Sequence, residues 1–400
     1  MKKVYLDHAA TTPADERVLQ KMHPYFSGQF GNPMSVHEFG QEAMDAVDRS
    51  RKILADFFGC RTEEVIFTSG ATESNNLAIR GILKEYYIAN QKRPHIITTR
   101  FEHHCVLATC QELEKEGLAE VTYLPVSRNG FIKIADVKKS LKLNTILVSV
   151  MYVNNEIGTV QPIQEIGKLI SAIRAKDFGS AYPLLHTDAT QAVNYYDCNV
   201  ETLGVDLLSM SGHKIHGPKG VGALYVRKNT PLKSIQTGGG QEFGLRAGTH
   251  NVPGIVGLSE AIQQIKNQKS KVKNILKLRD YLIKKVLREI PKSHLNGSVE
   301  KRSPNNANFR FDNVEGEGII LSLNAAGIAA STGSACSSGS LDPSHVLLAM
   351  GLKHEQAHGS LRLTLGRNTT KADVDYTVRI IKKTIARLRK ISGNVLADFK

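Results

Sequence analysis

Leu184-Leu185-His186-Thr187-Asp188-Ala189-Thr190-Gln191 and Asp206-Leu207-Leu208-Ser209-Met210-Ser211-Gly212-His213-Lys214 decide how this chain folds. In each, a short apolar run stops at polar residues. The runs have strand length and lack strict alternation, which suits strands covered on both faces. Five runs of the same kind accompany them: Val65–Thr68, His95–Thr98, Val121–Leu124, Ile146–Val150 and Val221–Val226. Helical patterns lie between many of them, as over Ile163–Arg174. This rhythm predicts an α/β fold around a mostly parallel, doubly covered, seven-stranded sheet. The last run follows its predecessor closely, and an antiparallel return is open to it.

A glycine-rich break, Thr237-Gly238-Gly239-Gly240, closes that rhythm. It superficially resembles a dinucleotide loop, but no βαβ unit with a suitably placed acidic residue follows, so that reading fails. Beyond it the chain reads as a smaller α+β unit, with a strand at Asn308–Phe311 and a last helix near Ala372–Ile391. The expected division is a large domain over 15–260, and a small domain built from 1–14 and 261–400 that carries a mobile loop around Cys336.

Four hundred residues suffice for two such units without disulfide staples. The 41% apolar and 22% charged content is that of a soluble globular protein. The first residues reach Asp7 before any apolar signal segment can form, and no run approaches membrane-spanning length. A cytoplasmic location, with no membrane partner, is the expectation. The five cysteines form no Cys-x-x-Cys pair, which favours free thiols. Much of the net charge of +14 gathers between Lys266 and Arg288. An acidic partner such as tRNA would suit it, but apolar Ile275, Leu278, Leu282 and Val286 recur at helical spacing. A helix with a solvated basic face is the preferred reading, and direct nucleic-acid binding is not expected.

Ligands of open α/β sheets bind beyond the carboxyl ends of the strands, where the chemistry-bearing residues fall. Lys214 reads as a Schiff-base lysine, and Asp188 as the partner of a protonated pyridine nitrogen. A carboxylate ending an apolar strand is costly unless paired, although a structural ion pair would serve too. Together they imply pyridoxal phosphate, an electron sink for chemistry at an amino acid's α or β carbon. Gln191 is placed for the ring hydroxyl. Thr68-Ser69-Gly70-Ala71-Thr72 turns from strand into helix, and the amides of a helix start can cradle a phosphate, as they can form an ordinary turn. Ser211 and His213 add donors. His103, in Glu102-His103-His104, suits stacking and proton transfer; tandem histidines without another pair at ligand spacing make no zinc site. Asn155 suits a cofactor oxygen or a substrate carboxylate, or simply a turn. Arg246–Thr249 adjoins the glycine break within reach of phosphate. Arg362 suits bidentate capture of a carboxylate, or a salt bridge. Cys336, among glycine, serine and alanine, reads as an exposed, mobile thiol. Lys219 has no comparable setting.

These segments resemble the cysteine desulfurases of the class V aminotransferases, fold-type I pyridoxal phosphate enzymes. The likeness runs from Tyr5-Leu6-Asp7-His8-Ala9-Ala10-Thr11-Thr12-Pro13 through Gly31-Asn32-Pro33 and Asn154-Asn155-Glu156-Ile157-Gly158 to Leu365-Gly366-Arg367. It implies that Lys214 carries the cofactor, Asp188 pairs with its nitrogen, Gln191 bonds the ring hydroxyl and His103 stacks on the ring. It implies that Ala71, Thr72, Ser211 and His213 hold the phosphate, helped by Thr249 from the second subunit of a homodimer. Asn155 and Arg362 would orient L-cysteine. Cys336 would be the nucleophile that leaves as a persulfide, and a possible transient iron–sulfur ligand. The sequence Thr332-Gly333-Ser334-Ala335-Cys336 is similar to the group that feeds iron–sulfur scaffold proteins; a tRNA-thiolation protein is the other acceptor expected. His104 and Cys105 depart from the family pattern beside His103, and the chain lacks the extended tail by which some members grip their scaffold. Selenocysteine lyase or aminotransferase activity, and a non-catalytic RNA-binding role, are the rival readings.

Overall fold

The computed structural model describes residues 2–176, 181–266, 269–332 and 342–398. Cys336 and the rest of its glycine-rich loop, 333–341, lie outside the described residues. The described strands are, in chain order, β1 (Val4–Tyr5), β2 (Val65–Thr68), β3 (His95–Thr99), β4 (Glu120–Leu124), β5 (Thr145–Ser149), β6 (Leu184–Asp188), β7 (Leu207–Ser211), β8 (Gly222–Val226), β9 (Ser293–Leu295), β10 (Asn306–Phe311), β11 (Ile328–Ala329) and β12 (Ser360–Thr364).

Strands β2 to β8 form one seven-stranded sheet in the order β2-β8-β7-β6-β5-β3-β4. It is parallel except at β8, which runs antiparallel to both β7 and β2. The sheet is therefore the expected one, and the short link before β8 is why that strand returns antiparallel. Strands β2, β5, β6 and β7 are buried along their whole length. Ile97, Val148, Leu185 and Leu208 pack on one face with the helix Glu38–Phe58. Ile96, Leu147, Leu184 and Leu207 pack on the other with the helices Ala71–Asn90 and His104–Lys115. A fully buried aliphatic side chain of this kind contributes about 1.5–3 kcal/mol. The helix Ile163–Arg174 covers the sheet through Ile163, Ile166 and Ile170, the spacing that marks it in the sequence.

A separate core gathers Val4 and Leu6 with residues from 275 onward, including Phe309, Phe311, Leu361, Leu363, Val378 and Ile381. Its antiparallel sheet has the order β12-β10-β9, and β1 pairs in parallel with β11. The helix Lys269–Glu289 is confirmed, but its basic stripe is less uniform than the sequence suggests. Arg279 is buried, donating to the carbonyls of Arg302 and Ser303 and paired with Asp280. It lies one turn from Ile275 and Leu282, on the side of the helix that faces the core.

Candidate active site

The carboxyl ends of β2, β6 and β7 share one edge of the large sheet. Registers fix this: Thr68 of β2 and Ser211 of β7 both pair with Gly222 of β8. A cavity of about 560 Å³ opens there. Ala71, Thr72, His103, Asn155, Asp188, Gln191, Ser211, His213, Lys214 and Arg362 all contribute to its wall. Thr249, predicted as a phosphate ligand, falls outside, exposed on its own loop. Arg246, expected within reach of phosphate, is not among the residues lining this cavity and pairs with Glu73 at 2.9 Å.

Gly70 makes the turn from β2 into the helix Ala71–Asn90, at φ 152°. That conformation excludes most side chains. Gly222 lies so close that a Cβ there would meet Gly70 Cα at 2.6 Å. The first amides of the helix have no intrahelical acceptor and carry the positive end of its dipole.

Asp188 ends β6, buried. Its oxygens accept from neutral donors: Oδ1 from the Thr190 amide at 2.9 Å, and Oδ2 from Asn75 Nδ2 at 2.8 Å. Lys214 follows β7 on a short 3-10 turn, and its Nζ donates to the carbonyls of Ala9 and Ala10, both at 2.6 Å. Gln191 donates to the same Ala9 carbonyl at 3.0 Å. His213 Nδ1 is 3.1 Å from Thr11 Oγ1. Burial, then the charges of Lys214 and Lys219, push the His213 ring down to about 4, so it is neutral near pH 7.

His103 caps the helix His104–Lys115, its Nδ1 accepting from the Cys105 amide at 3.2 Å. Burial lowers its pKa, and so does Lys214, while Asp188 raises it. Across the cavity Arg362 is buried, with Nη2 on Asp7 Oδ1 at 2.8 Å and Nη1 on the Asn155 carbonyl at 3.0 Å. The salt-bridge alternative for Arg362 is thus realised in part, but its Nε is buried with no partner among the described residues. Asn155 Oδ1 and Thr190 Oγ1 are in the same condition. Ser331, at the start of the stretch that leads to Cys336, exchanges backbone hydrogen bonds with Arg362.

Sequence reasoning missed several of these groups. Ala9 and Ala10 act through carbonyls, which leave no side-chain signal. Asn75 sits on a helix behind the cavity wall, and Cys105 joins that wall from the first turn of the next helix. Lys219, set aside in the sequence, lines the cavity with Gly220. The four described cysteines are free. Burial raises the thiols of Cys60, Cys105 and Cys110 to about 12, which makes them poor nucleophiles.

The likeness to known proteins spans nearly the whole chain. The profile of the family described as aminotransferase class-V matches residues 4–377. Cysteine desulfurase IscS of Dictyoglomus turgidum is 49% identical over 392 residues, spanning 98% of this chain and 96% of that protein. Its counterpart of the same name in Methanosarcina thermophila is 48% identical over 392 residues, spanning 98% and 94%. A solved NifS-like protein superposes with a TM-score of 0.88 at 35% identity, covering 96% of this chain and all (100%) of that one. The structure titled SspA in complex with cysteine superposes with a TM-score of 0.79 at 36% identity, covering 92% and 100%.

Proposed function

Since the chain belongs to the class-V aminotransferase family, and within it to the cysteine desulfurases, we propose the following division of labour among its residues. L-cysteine is converted to L-alanine, and its sulfur atom passes to Cys336 as a persulfide. The overall change balances: the substrate's C–S bond and the Cys336 S–H bond are lost, an S–S and a C–H bond form, and the transferred sulfur ends as S–H.

The observation that carries this reading is the convergence of Lys214, Asp188, His103, Ser211, His213 and the start of the helix Ala71–Asn90 on one cavity. It fits pyridoxal phosphate. The Gly70 turn offers backbone amides to a phosphate, with Ser211 and His213 opposite. Asp188, which accepts hydrogen bonds from the neutral Asn75 side chain and Thr190 amide, suits a protonated ring nitrogen. The unpartnered Asn155 Oδ1 and Arg362 Nε suit a polar ligand. Bound there, the cofactor would supply the electron sink for breaking bonds at the α and β carbons of an amino acid.

Lys214 Nζ would hold the cofactor and move the α proton of the substrate. The neutral His103 would hold a proton at Nε2, because Nδ1 already accepts a hydrogen bond. Asn155 and Arg362 would orient the substrate carboxylate, and Gln191 the ring hydroxyl. Thr249, exposed in one chain, would complete the phosphate site of a second copy in a homodimer. The exposed side chains of Phe26, Phe30, Val36 and Phe39 supply an apolar surface for such a copy. Donation to an iron–sulfur scaffold, or to a tRNA-thiolation protein, and a cytoplasmic location complete the proposal. Among the described residues, no helix is long and apolar enough to cross a membrane.

The test is direct. With L-cysteine and a reductant, the protein should release alanine and sulfide in equal amounts. Cys336→Ala should retain the visible absorbance of the bound cofactor but release no sulfide. Keto acid in place of alanine would favour an aminotransferase, and full activity of Cys336→Ala would remove that thiol from the reaction.

A further inference from the structure

Asp188, at the end of β6, and His103, at the start of the helix His104–Lys115, reach the cavity from different elements, and two side chains with no part in the reaction lie between them. Asn75 is completely buried in the helix Ala71–Asn90. Its Nδ2 donates to Asp188 Oδ2 at 2.8 Å and to Cys105 Sγ at 3.0 Å. An amide nitrogen carries two hydrogens, so both bonds form together. Cys105 Sγ is in turn 2.9 Å from His103 Nδ1. That ring nitrogen already accepts from the Cys105 backbone N–H, so it bears no proton of its own. The contact is therefore made by the thiol, whose S–H donates to the ring.

We propose that Asn75 and Cys105 are positioning residues, which join the Asp188 carboxylate to His103 Nδ1 through one directional chain of hydrogen bonds and hold His103 in the Nε2–H tautomer. The direction starts at the carboxylate. An ionised carboxylate only accepts, so it requires the nitrogen of Asn75 and not the oxygen to face it. The second amide hydrogen then reaches the sulfur, which turns its own hydrogen to the ring. Asn75 Oδ1 is left buried without a partner among the described residues, as that orientation demands. Burial keeps Cys105 in the thiol form that the chain needs.

The chain makes His103 a weaker base. A hydrogen bond given to the neutral ring favours the neutral form. The charged groups facing the ring are Asp188 from the end of β6, Lys214 from the turn after β7, and the neighbours His104 and His345. Asp188 favours the protonated ring; the other three oppose it.

This inference rests on the proposed roles of His103 and Asp188, but its test needs neither substrate nor cofactor. Cofactor-free protein carrying ring-labelled histidine is titrated by NMR, with the His103 signal assigned by His103→Gln. The native ring should show the Nε2–H form. Cys105→Val, which removes the donor at similar volume, should raise the proton affinity of His103 about threefold or more, half a unit in midpoint. Cys105→Ser, which restores an O–H donor, should return it close to the native value. Asn75→Ala should shift it in the same direction as Cys105→Val. If Asn75→Ala fails to fold, the two Cys105 variants decide the matter. An unchanged midpoint in folded Cys105→Val, or a native ring protonated at Nδ1, would overturn the proposal. A failure of alanine release alone would instead count against the desulfurase assignment.

Discussion

Two buried carboxylates stand near the same edge of the large sheet and meet opposite fates. Glu242 is saturated. Arg51 grips both of its oxygens at 2.7 and 2.8 Å, the Phe67 amide adds a bond at 2.7 Å, and His250 Nε2 lies at 2.9 Å. Burial alone would raise its pKa, but these partners hold it down to about 2. Asp188 is equally enclosed, yet its hydrogen bonds come from an amide side chain and a backbone N–H. A buried negative charge answered by a fixed guanidinium belongs to the architecture. One answered by neutral donors leaves room for a cation brought by a ligand.

Exchanging the roles is the strongest way to break that contrast. Asp188→Ala should lower kcat/KM on the order of 10²–10³-fold, because a group stabilising developing charge is lost. Its melting temperature should change little; a large drop would make Asp188 as structural as Glu242. Glu242→Ala should do the reverse. Stripping one partner from a buried ion pair costs about 3–5 kcal/mol, read from the denaturant midpoint, while turnover per folded molecule is retained.

Acid sharpens the comparison. Burial, with neighbouring charges behind it, pushes His8, His213 and His216 from an ordinary 6.5 down to about 4. Between those values the unfolded chain binds protons that the native rings refuse, so stability falls as pH drops from 6.5 towards 4. Glu242, depressed from 4.5 to about 2, adds a second loss over that lower window. Denaturant titrations across pH should therefore show two descending stages. Glu242→Gln should shrink the lower stage, to which Asp15 and Asp375, also held below the usual carboxylate range by their cationic partners, contribute, and leave the upper one.

The smallest expected effect is at the Gly70 turn, where a phosphate is proposed to bind. Gly70→Ala forces a side chain into a conformation that costs about 1–3 kcal/mol. Cofactor affinity, followed by dialysis and absorbance, should weaken while the rest of the sheet stays intact. An unchanged affinity would separate the Gly70 turn from the phosphate site.

The sheet, and much of the candidate site lining one cavity, could be read from the sequence for a shared physical reason. Strands buried on both faces leave apolar runs, and in parallel sheets the functional residues follow those runs directly. Asp188, Ser211, His213 and Lys214 were legible because each lies within a few residues of a strand end. Asn75 was not, because only the fold brings it to Asp188, 113 positions away. Nor was the Asp7 partner of Arg362, at 355 positions. The buried side of the basic helix shows the same limit: Arg279 looks like its exposed neighbours until the loop carrying Arg302 and Ser303 covers it.

The contact between Gly222 and Gly70 binds the future of two distant stretches. A side chain at Gly222 would strike the Gly70 turn, and one at Gly70 would be held in a conformation that few residues adopt, so the two positions constrain each other's redesign. A combinatorial library that varies 68–72 against a constant 220–224 should return few working clones beyond those with glycine at 70. Enlarging the cavity for a bulkier amino acid is better begun at Val153, an apolar side chain of its lining outside both turns.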